Sequence, residues 1–508
     1  MKLNTIAVLG GGPGGLYAAR LLKLSHPDAD VTVYEQGLPD KTFGFGVGLA
    51  SRTQRNLREA DEASLDAIVA AAHPHEMSMR VGDDTVRLAH GELLGIGRAT
   101  LLTVLQKFAQ DAGVVLKFGA RRSASDLEAD LIVAADGISS ATRGEHEAEF
   151  APSVILGESL YLWAGTDYQL PAAVFTPVTT EYGTFVAHAY PYADDRSTFL
   201  IETDEATWKR AGFDVTTEQT PNTENDEVSL KFLEEAFRDS LDGHHLIGNR
   251  TKWTRFRTVR CGSWHTGNTV LLGDAAHTAH YSIGSGTKLA MEDAIALDKA
   301  LLAADDLEAA FVAYEAERRP AVHYLQTIAE RSMAWWDEFP HRTSMPVAQM
   351  LIAYMTRAGK VALERFAATA PQVVPAGLAA YAGVSDDAVP EPEKVVDWVY
   401  AQPLPAGDRP DRFAPAELRA AEGTVVVDTE ARPWSAEARR VVADLPAADT
   451  YWLIGADEAE AVLDRLDLGE QIRRATGAVV VADVPAELRD LGASALASER
   501  VDLVAITA

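Results

Sequence analysis

Ile6-Ala7-Val8-Leu9-Gly10-Gly11-Gly12-Pro13-Gly14-Gly15 opens a unit that closes at Val31-Thr32-Val33-Tyr34-Glu35. The first four residues are an unbroken apolar run, the mark of a strand buried on both faces. Leu16 to Leu24 follow at helical spacing until His26-Pro27-Asp28 breaks the pattern, and Val31 to Tyr34 form a second strand. The unit is therefore βαβ with its glycines at the strand-to-helix turn. In Gly10-x-Gly12-x-x-Gly15, Gly10 permits the tight turn, Gly12 lets backbone approach a pyrophosphate, and Gly15 lets the helix pack on the strand. Pro13 and Gly14 complete the turn. The start of the helix then presents partial positive charge to phosphate. Glu35, with Gln36 beside it, lies where a carboxylate can accept from a ribose hydroxyl. This pattern in this context predicts a bound dinucleotide.

Working outward, two more strands end in acidic turns. Leu131 to Ala135 runs into Asp136-Gly137-x-x-Ser140-x-x-Arg143, and Thr269 to Leu272 into Gly273-Asp274-Ala275-Ala276-His277. Either turn alone has an ordinary reading, since Asp-Gly is a common turn and Asp274 could cap a helix. Between 150 and 262 the pattern changes to short runs rich in Thr, Val, Tyr and Phe, which predicts an inserted antiparallel sheet. Helical spacing runs from Thr287 to about Ala303 and again from 306 to about 370. Eight prolines between Pro371 and Pro415 predict a loop-rich connection. Beyond it, four apolar runs (Thr424 to Val427, Tyr451 to Ile454, Ala478 to Val481, Leu503 to Ile506) predict a small α/β module in which acids outnumber bases about two to one.

The 508 residues carry 46 Lys and Arg against 75 Asp and Glu, a formal charge of −29. That balance argues against nucleic acid or an anionic membrane as partner. Cys261, the single cysteine, excludes an internal disulfide and cysteine-held metal clusters. The start is too short and too soon broken for a signal peptide, and no apolar run has the length of a membrane span. A cytoplasmic protein is expected. The scattered histidines suggest no metal.

The three turns together resemble the FAD-dependent aromatic hydroxylases, the single-component flavoprotein monooxygenases, over about residues 1–370. The resemblance implies that Asp274 contacts the FAD ribityl chain, that Asp136 lies near FAD and the pyridine nucleotide, and that Arg98 in Gly97-Arg98-x-x-Leu101 sits beside the flavin. It places Gly284, Gly286 and Thr287, which open a long helix, at the flavin ring. No second glycine fingerprint sits in a βαβ context, which agrees with NADH or NADPH docking transiently in that family. Leu162-Trp163-Ala164-Gly165-Thr166, His188-Ala189-Tyr190, Ser197 to Glu202, and Gly273 to Leu289 are similar to the salicyloyl-CoA 5-hydroxylase and anthraniloyl-CoA monooxygenase branch. His280-Tyr281 stand where most relatives carry Pro-Pro, so the contact that proline makes there does not transfer. The length leaves no room for the barrel reductase of the longer branch members.

What the resemblance implies is an α/β protein with a Rossmann-like FAD-binding domain and an inserted substrate sheet. The expected division is 1–150 and 263–370 for FAD and the helical region, 151–262 with parts of 73–96 for substrate, 371–418 for the connection and 419–508 for the module. The implied reaction is hydroxylation of an activated ring by way of a flavin C4a-hydroperoxide, with O2 as co-substrate. The expected substrate is an aryl-CoA thioester, with a free or carrier-bound aromatic or an indole as the alternative. A flavin-dependent halogenase shares the glycine-rich start, but its Trp-x-Trp-x-Ile-Pro motif is absent. His188, His280 and Tyr281 are the candidate pocket residues, each with the competing reading of a packed core residue. His277 is expected to hold its turn, and Trp335 and Trp336 to be core. Arg255 and Arg257, on one face with Trp253 if the segment is a strand, are the candidate CoA-phosphate contacts. The competing reading is that they pair with nearby carboxylates. The module is expected to serve packing or self-association, as in a homodimer.

Overall fold

The computed structural model describes residues 1–39, 44–405 and 409–507. They form two compact units, Met1–Ser78 with His90–Met333, and Met79–Ala89 with the chain from Ala334 onward.

The first unit carries the glycine turn at the middle of a six-stranded sheet. In spatial order its strands are His265–Thr266, Thr269–Leu271, Leu131–Ala134, Thr5–Leu9, Asp30–Tyr34 and Val115–Lys117. All pairs are parallel except that of the short His265–Thr266 strand. Parallel pairing brings the carboxyl ends of the strands to one edge, where ligands of open α/β sheets bind. The three turns singled out in the sequence follow neighbouring strands and so converge there. Helix Pro13–Ser25 starts at Gly12 with proline in its first turn, where no N–H is needed. It buries Leu16, Tyr17, Leu21 and Leu22 against the core of the unit.

A nine-stranded sheet contains the antiparallel strands Pro152–Thr166, Ala173–Thr180, Gly183–Ala193 and Arg196–Thr203. Residues paired across such strands share a face, and faces alternate along each strand. Leu160, Leu162, Ala164, Phe185, Ala187, Ala189, Phe199 and Ile201 form one face, packed on Phe213, Leu230, Leu233 and Phe237 from short helices between 205 and 241. The register pairs His188 with Phe175 and Leu200, and Glu202 with Val186 and Tyr161, which puts these residues on the opposite face. The sheet is thus apolar on one side and mixed aromatic and polar on the other.

The second unit contains four parallel strands in sequential order, Thr424–Asp428, Thr450–Ile454, Val479–Pro485 and Leu503–Thr507. They coincide with the four apolar runs. Two features differ from expectation. The 371–418 stretch is not a loose connection: it contains helices Val374–Ala382 and Val395–Tyr400 and buries Val374, Leu378, Val399 and Tyr400. Its prolines fit because Pro375 occupies a helix's first turn and Pro415 a cap, positions that need no N–H. Residues 334–370 also group with this unit. Trp335 and Trp336 are buried beside Phe339 and Tyr354, and Arg342 and Arg474 pair with Glu470 at 2.7 and 2.5 Å. No described helix is long and apolar enough to cross a membrane.

Candidate active site

At the glycine turn, the strand-to-helix geometry leaves no room for side chains at two positions. Gly10 has φ +100°, and a Cβ there would meet the Ala135 carbonyl oxygen at 2.2 Å. A Cβ on Gly15 would meet the Gly10 oxygen at 2.1 Å. Gly12 is the contrast: among the described residues a Cβ there meets nothing within 4 Å, so this glycine is not packed against backbone. A gap at the start of a 13-residue helix, where partial positive charge gathers, fits a phosphate. Pro13, Gly14 and Gly15 are buried behind it. Glu35 is fixed by two backbone donors, Gly11 N–H to Oε2 at 2.7 Å and Gly37 N–H to Oε1 at 2.5 Å. Each oxygen keeps a lone pair for a ribose hydroxyl. Gln36 is exposed beside it.

The two acidic turns are braced from behind. Arg143, buried, donates to the carbonyls of Ile138 at 2.6 Å and Ala275 at 2.7 Å, which ties the Asp136 loop to the Asp274 loop. Asp293, also buried, accepts from Gly273 N–H at 3.0 Å and lies 2.8 Å from His277 Nε2 and from Arg318 Nε. His277 therefore holds its turn. Neither Asp293 nor Arg318 was singled out from the sequence, because a carboxylate inside an Ala- and Leu-rich helix carries no local signal. Asp136 accepts from Thr142 N–H and O–H through Oδ2, both at 3.1 Å, while its buried Oδ1 has no partner among the described residues.

Asp274 has exposed surface, yet burial is the largest cause holding its carboxyl above the usual range, opposed by His277 and Arg98. Both observations hold if Asp274 faces a void enclosed by protein. Arg98 lies near it. Burial pushes the Arg98 guanidinium down while Asp274 and Tyr190 hold it up, and its buried Nε has no hydrogen-bond partner among the described residues. The same is true of Ser285 Oγ at the start of helix Gly286–Ala303. Among the described residues Gly284 and Gly286, like Gly12, have no atom within 4 Å of a Cβ position, and Thr287 is half-buried next to them. The unpartnered Arg98 Nε, Asp136 Oδ1 and Ser285 Oγ, together with the open-sided Gly12, Gly284 and Gly286, fit a bound FAD.

The three candidate pocket residues come together, and a fourth, which sequence reasoning missed, joins them. Tyr281 donates its phenolic hydrogen to Oε2 of Glu202 at 2.6 Å, and His188 Nε2 lies 3.2 Å from the same oxygen. The Tyr281 ring packs on His280 at 3.9 Å, Tyr161 at 4.9 Å and His188 at 5.9 Å between centroids. His280 Nδ1 lies 2.9 Å from Ser282 Oγ, itself 2.7 Å from Ser332 Oγ. Burial pushes the Glu202 carboxyl up, but hydrogen bonds and charge from His188, with His280 and Tyr281, outweigh it and hold the group below its ordinary value. Glu202 was detectable in principle: it is a charge ending the apolar strand run Phe199-Leu200-Ile201.

The two candidate arginines take different partners. Arg255 donates to the carbonyls of Gly157 and Glu158 and pairs with Glu205 at 3.0 Å, the competing reading for this residue. Trp253 is buried in the sheet core with its N–H on Ser229 Oγ at 2.9 Å, so its ring offers no stacking surface. Arg257 reaches Ser139 at 3.3 Å, beside the Asp136 loop, and opposes burial at Tyr161, whose hydroxyl is pushed up to about 12.

Residues 88–328 match the family model described as an FAD binding domain. The chain is 40% identical over 367 residues to the salicyloyl-CoA 5-hydroxylase of a Streptomyces species, covering 70% of this chain and 71% of that protein. The chain belongs to the FAD-dependent aromatic hydroxylases. It is also 36% identical over 371 residues to the 3-hydroxy-4-methyl-anthranilyl-[aryl-carrier protein] 5-monooxygenase of Streptosporangium sibiricum, covering 73% of this chain and 99% of that one. The fold is that of 2-methyl-3-hydroxypyridine-5-carboxylic acid oxygenase, with TM-score 0.53, 21% identity, and coverage of 70% of this chain and 96% of that one. As an aromatic hydroxylase the chain uses FAD, with NAD(P)H and O2 as the family's reductant and co-substrate.

Proposed function

We propose that this hydroxylase acts on an aryl thioester, with salicyloyl-CoA and its 5-position as the first candidate. The observation that supports this reading most is that Tyr281, in the turn that leads to the Gly284–Thr287 loop, bonds Glu202 beside His188 on the sheet, so that a ring held against these residues would lie beside the flavin. When bound, FAD takes electrons from NADH or NADPH and, with O2, supplies an electrophilic oxygen atom. The ring then exchanges a hydrogen for a hydroxyl, and the second oxygen leaves as water.

The chain's own contribution is position, dryness and proton handling. Tyr161, Phe175 and Tyr281 surround the ring site with apolar surface that excludes water. His188 and His280 are placed to accept the proton of a ring hydroxyl or amino group, which raises the ring's nucleophilicity. Glu202 holds His188 and Tyr281 in place from the sheet. Arg257, beside the Asp136 loop, is the remaining candidate for a CoA or pyridine-nucleotide phosphate, whereas Arg255 is committed to Glu205. Arg257→Ala should therefore raise KM for the thioester several-fold, more at low salt, while Arg255→Ala changes it less.

A carrier-bound aromatic is the second reading, favoured by coverage of nearly the whole length of the carrier-dependent relative. The test is NAD(P)H-dependent product formation with salicyloyl-CoA, the same acyl group on a carrier protein, and free salicylate. Product from one acylated form alone identifies the carrier. Free salicylate hydroxylated as well as either thioester overturns the thioester assignment.

A further inference from the structure

We propose that Trp163 closes one end of the ring slot and restricts this hydroxylase to single-ring aromatics, excluding fused bicycles such as naphthalenes and indoles. This inference rests on the reading of the His188–Glu202–Tyr281 cluster as the ring site. It adds a size limit and the residue that sets it.

Strand register fixes the floor of the slot. Phe175 pairs with His188, His188 with Leu200, and Leu200 with Trp163, so these side chains stand in one row across the sheet. Neighbours in such a row are about 5 Å apart. The row lies on the face opposite the helix-covered core, because Leu162, Ala164 and Ile201, which alternate with it, fill that core. It is covered on both sides. Two residues along the strands in one direction, the Tyr281 phenol bonds Glu202 and its ring packs on Tyr161. Two residues along in the other, Gly46 N–H donates to Thr198 Oγ1 at 2.9 Å, and the Tyr190 hydroxyl donates to the Gly46 carbonyl at 2.7 Å. An aromatic ring held between these covers and against His188 therefore lies over Leu200, and the next side chain along the row is Trp163. The indole is backed in its turn. A Cβ on Gly44 would lie 3.6 Å from the Trp163 ring, and Asn249 Nδ2 donates to the Gly44 carbonyl at 3.3 Å. Thr251 Oγ1 donates to the Trp163 carbonyl at 2.8 Å. With its backbone held and packed neighbours behind its ring, Trp163 forms a wall that a second fused ring would strike.

The test uses the oxidised, FAD-loaded protein at pH 7 and reads ligand binding as a perturbation of the flavin absorbance, without turnover. The probes are methyl salicylate and methyl 1-hydroxy-2-naphthoate, which share the hydroxyl and the ester and differ by a fused ring. In an open slot the larger apolar surface of the bicycle would make it the tighter ligand, by about 10-fold. The unmodified protein should instead prefer the single ring by at least ~10-fold. Trp163→Leu keeps an apolar side chain and removes the wall, and should reverse the order. Trp163→Phe, a milder change that serves if the leucine variant does not fold, should narrow the preference. Phe175→Leu, at the opposite end of the row, should leave the single-ring preference in place. Equal or tighter binding of the bicycle by the unmodified protein overturns the proposal whatever the variants do. So does an unchanged preference in both Trp163 variants, or a reversal in Phe175→Leu, which would put the limit at the other end. If neither probe perturbs the flavin, the ring-site reading falls and this inference with it. If both perturb it and the bicycle binds as well as the single ring, only the size limit falls.

Discussion

Tyr281 and Glu202, 79 positions apart in the chain, are joined by a 2.6 Å hydrogen bond from the phenol to a buried carboxylate. The bond links the turn ahead of helix Gly286–Ala303 to the polar face of the antiparallel sheet, so the two elements share one fixed point. Replacing Glu202 by Ala would leave Tyr281 and His188 facing a cavity. The expected loss is about 3 kcal/mol of unfolding free energy, the scale for losing a hydrogen bond to a charged group and leaving its buried partners unsatisfied. Chemical denaturation of the apoprotein measures it, and a loss under about 1 kcal/mol would show that the bond carries little stability.

The same carboxylate fixes a sign for pH dependence. Its folded value lies below the ordinary one of 4.5, so its contribution is present above 4.5 and fades as pH falls toward the folded value. Asp274 runs the other way. Its folded value is raised, so ionisation costs stability in the apoprotein once pH passes the ordinary carboxylate range. Asp274→Asn should raise the apoprotein's Tm at neutral pH and weaken FAD retention. A lower Tm at neutral pH would contradict this assignment.

Two glycines of one turn should behave differently when filled. Gly12→Val places its side chain in open space with compatible backbone angles, so the protein should fold within about 1 kcal/mol of the original and purify colourless. Gly15→Val drives a side chain into the Gly10 carbonyl and should cost folding itself. A yellow, stoichiometrically loaded Gly12→Val protein would remove this turn from the FAD site.

Cys261 is buried, and burial pushes its thiol up to about 11. The thiol stays protonated at neutral pH, so a thiol reagent should label it slowly in the folded protein and at once in denaturant. Fast labelling at pH 7 with the fold intact would contradict this.

Much of the fold was legible because turns demand particular residues. Gly10 needs a positive φ and Gly15 a bare Cα, and these demands, followed by Glu35, mark the dinucleotide site in one dimension. His188, His280 and Tyr281 were found as individual residues. Their meeting depends on strand register, which pairs Glu202 with Tyr161 and Val186 and which no local pattern reveals. Trp253 was read as a stacking surface, but its ring is buried in the helix-covered core, and burial by distant helices leaves no local sign. The prolines between 371 and 415 suggested a loose connection because proline is usually a breaker, whereas several here occupy first turns and caps. Tyr400, buried and bonded to the Arg489 carbonyl at 2.8 Å, shows that a cut near residue 410 would open the core of the second unit. Truncation there therefore tests folding before it tests catalysis.

As an aromatic hydroxylase, this protein uses FAD, reduced nicotinamide and O2 to place one oxygen atom on an aromatic ring. The most direct measurement is a single incubation of the purified yellow protein with salicyloyl-CoA and NAD(P)H under isotopically heavy O2, followed by mass spectrometry of the hydrolysed product. The expected product is a ring-hydroxylated acid carrying one heavy oxygen atom, formed in step with NAD(P)H consumed. Product oxygen drawn from water would contradict it, as would NAD(P)H oxidation that yields only peroxide with this thioester, its carrier-bound form and the free acid alike.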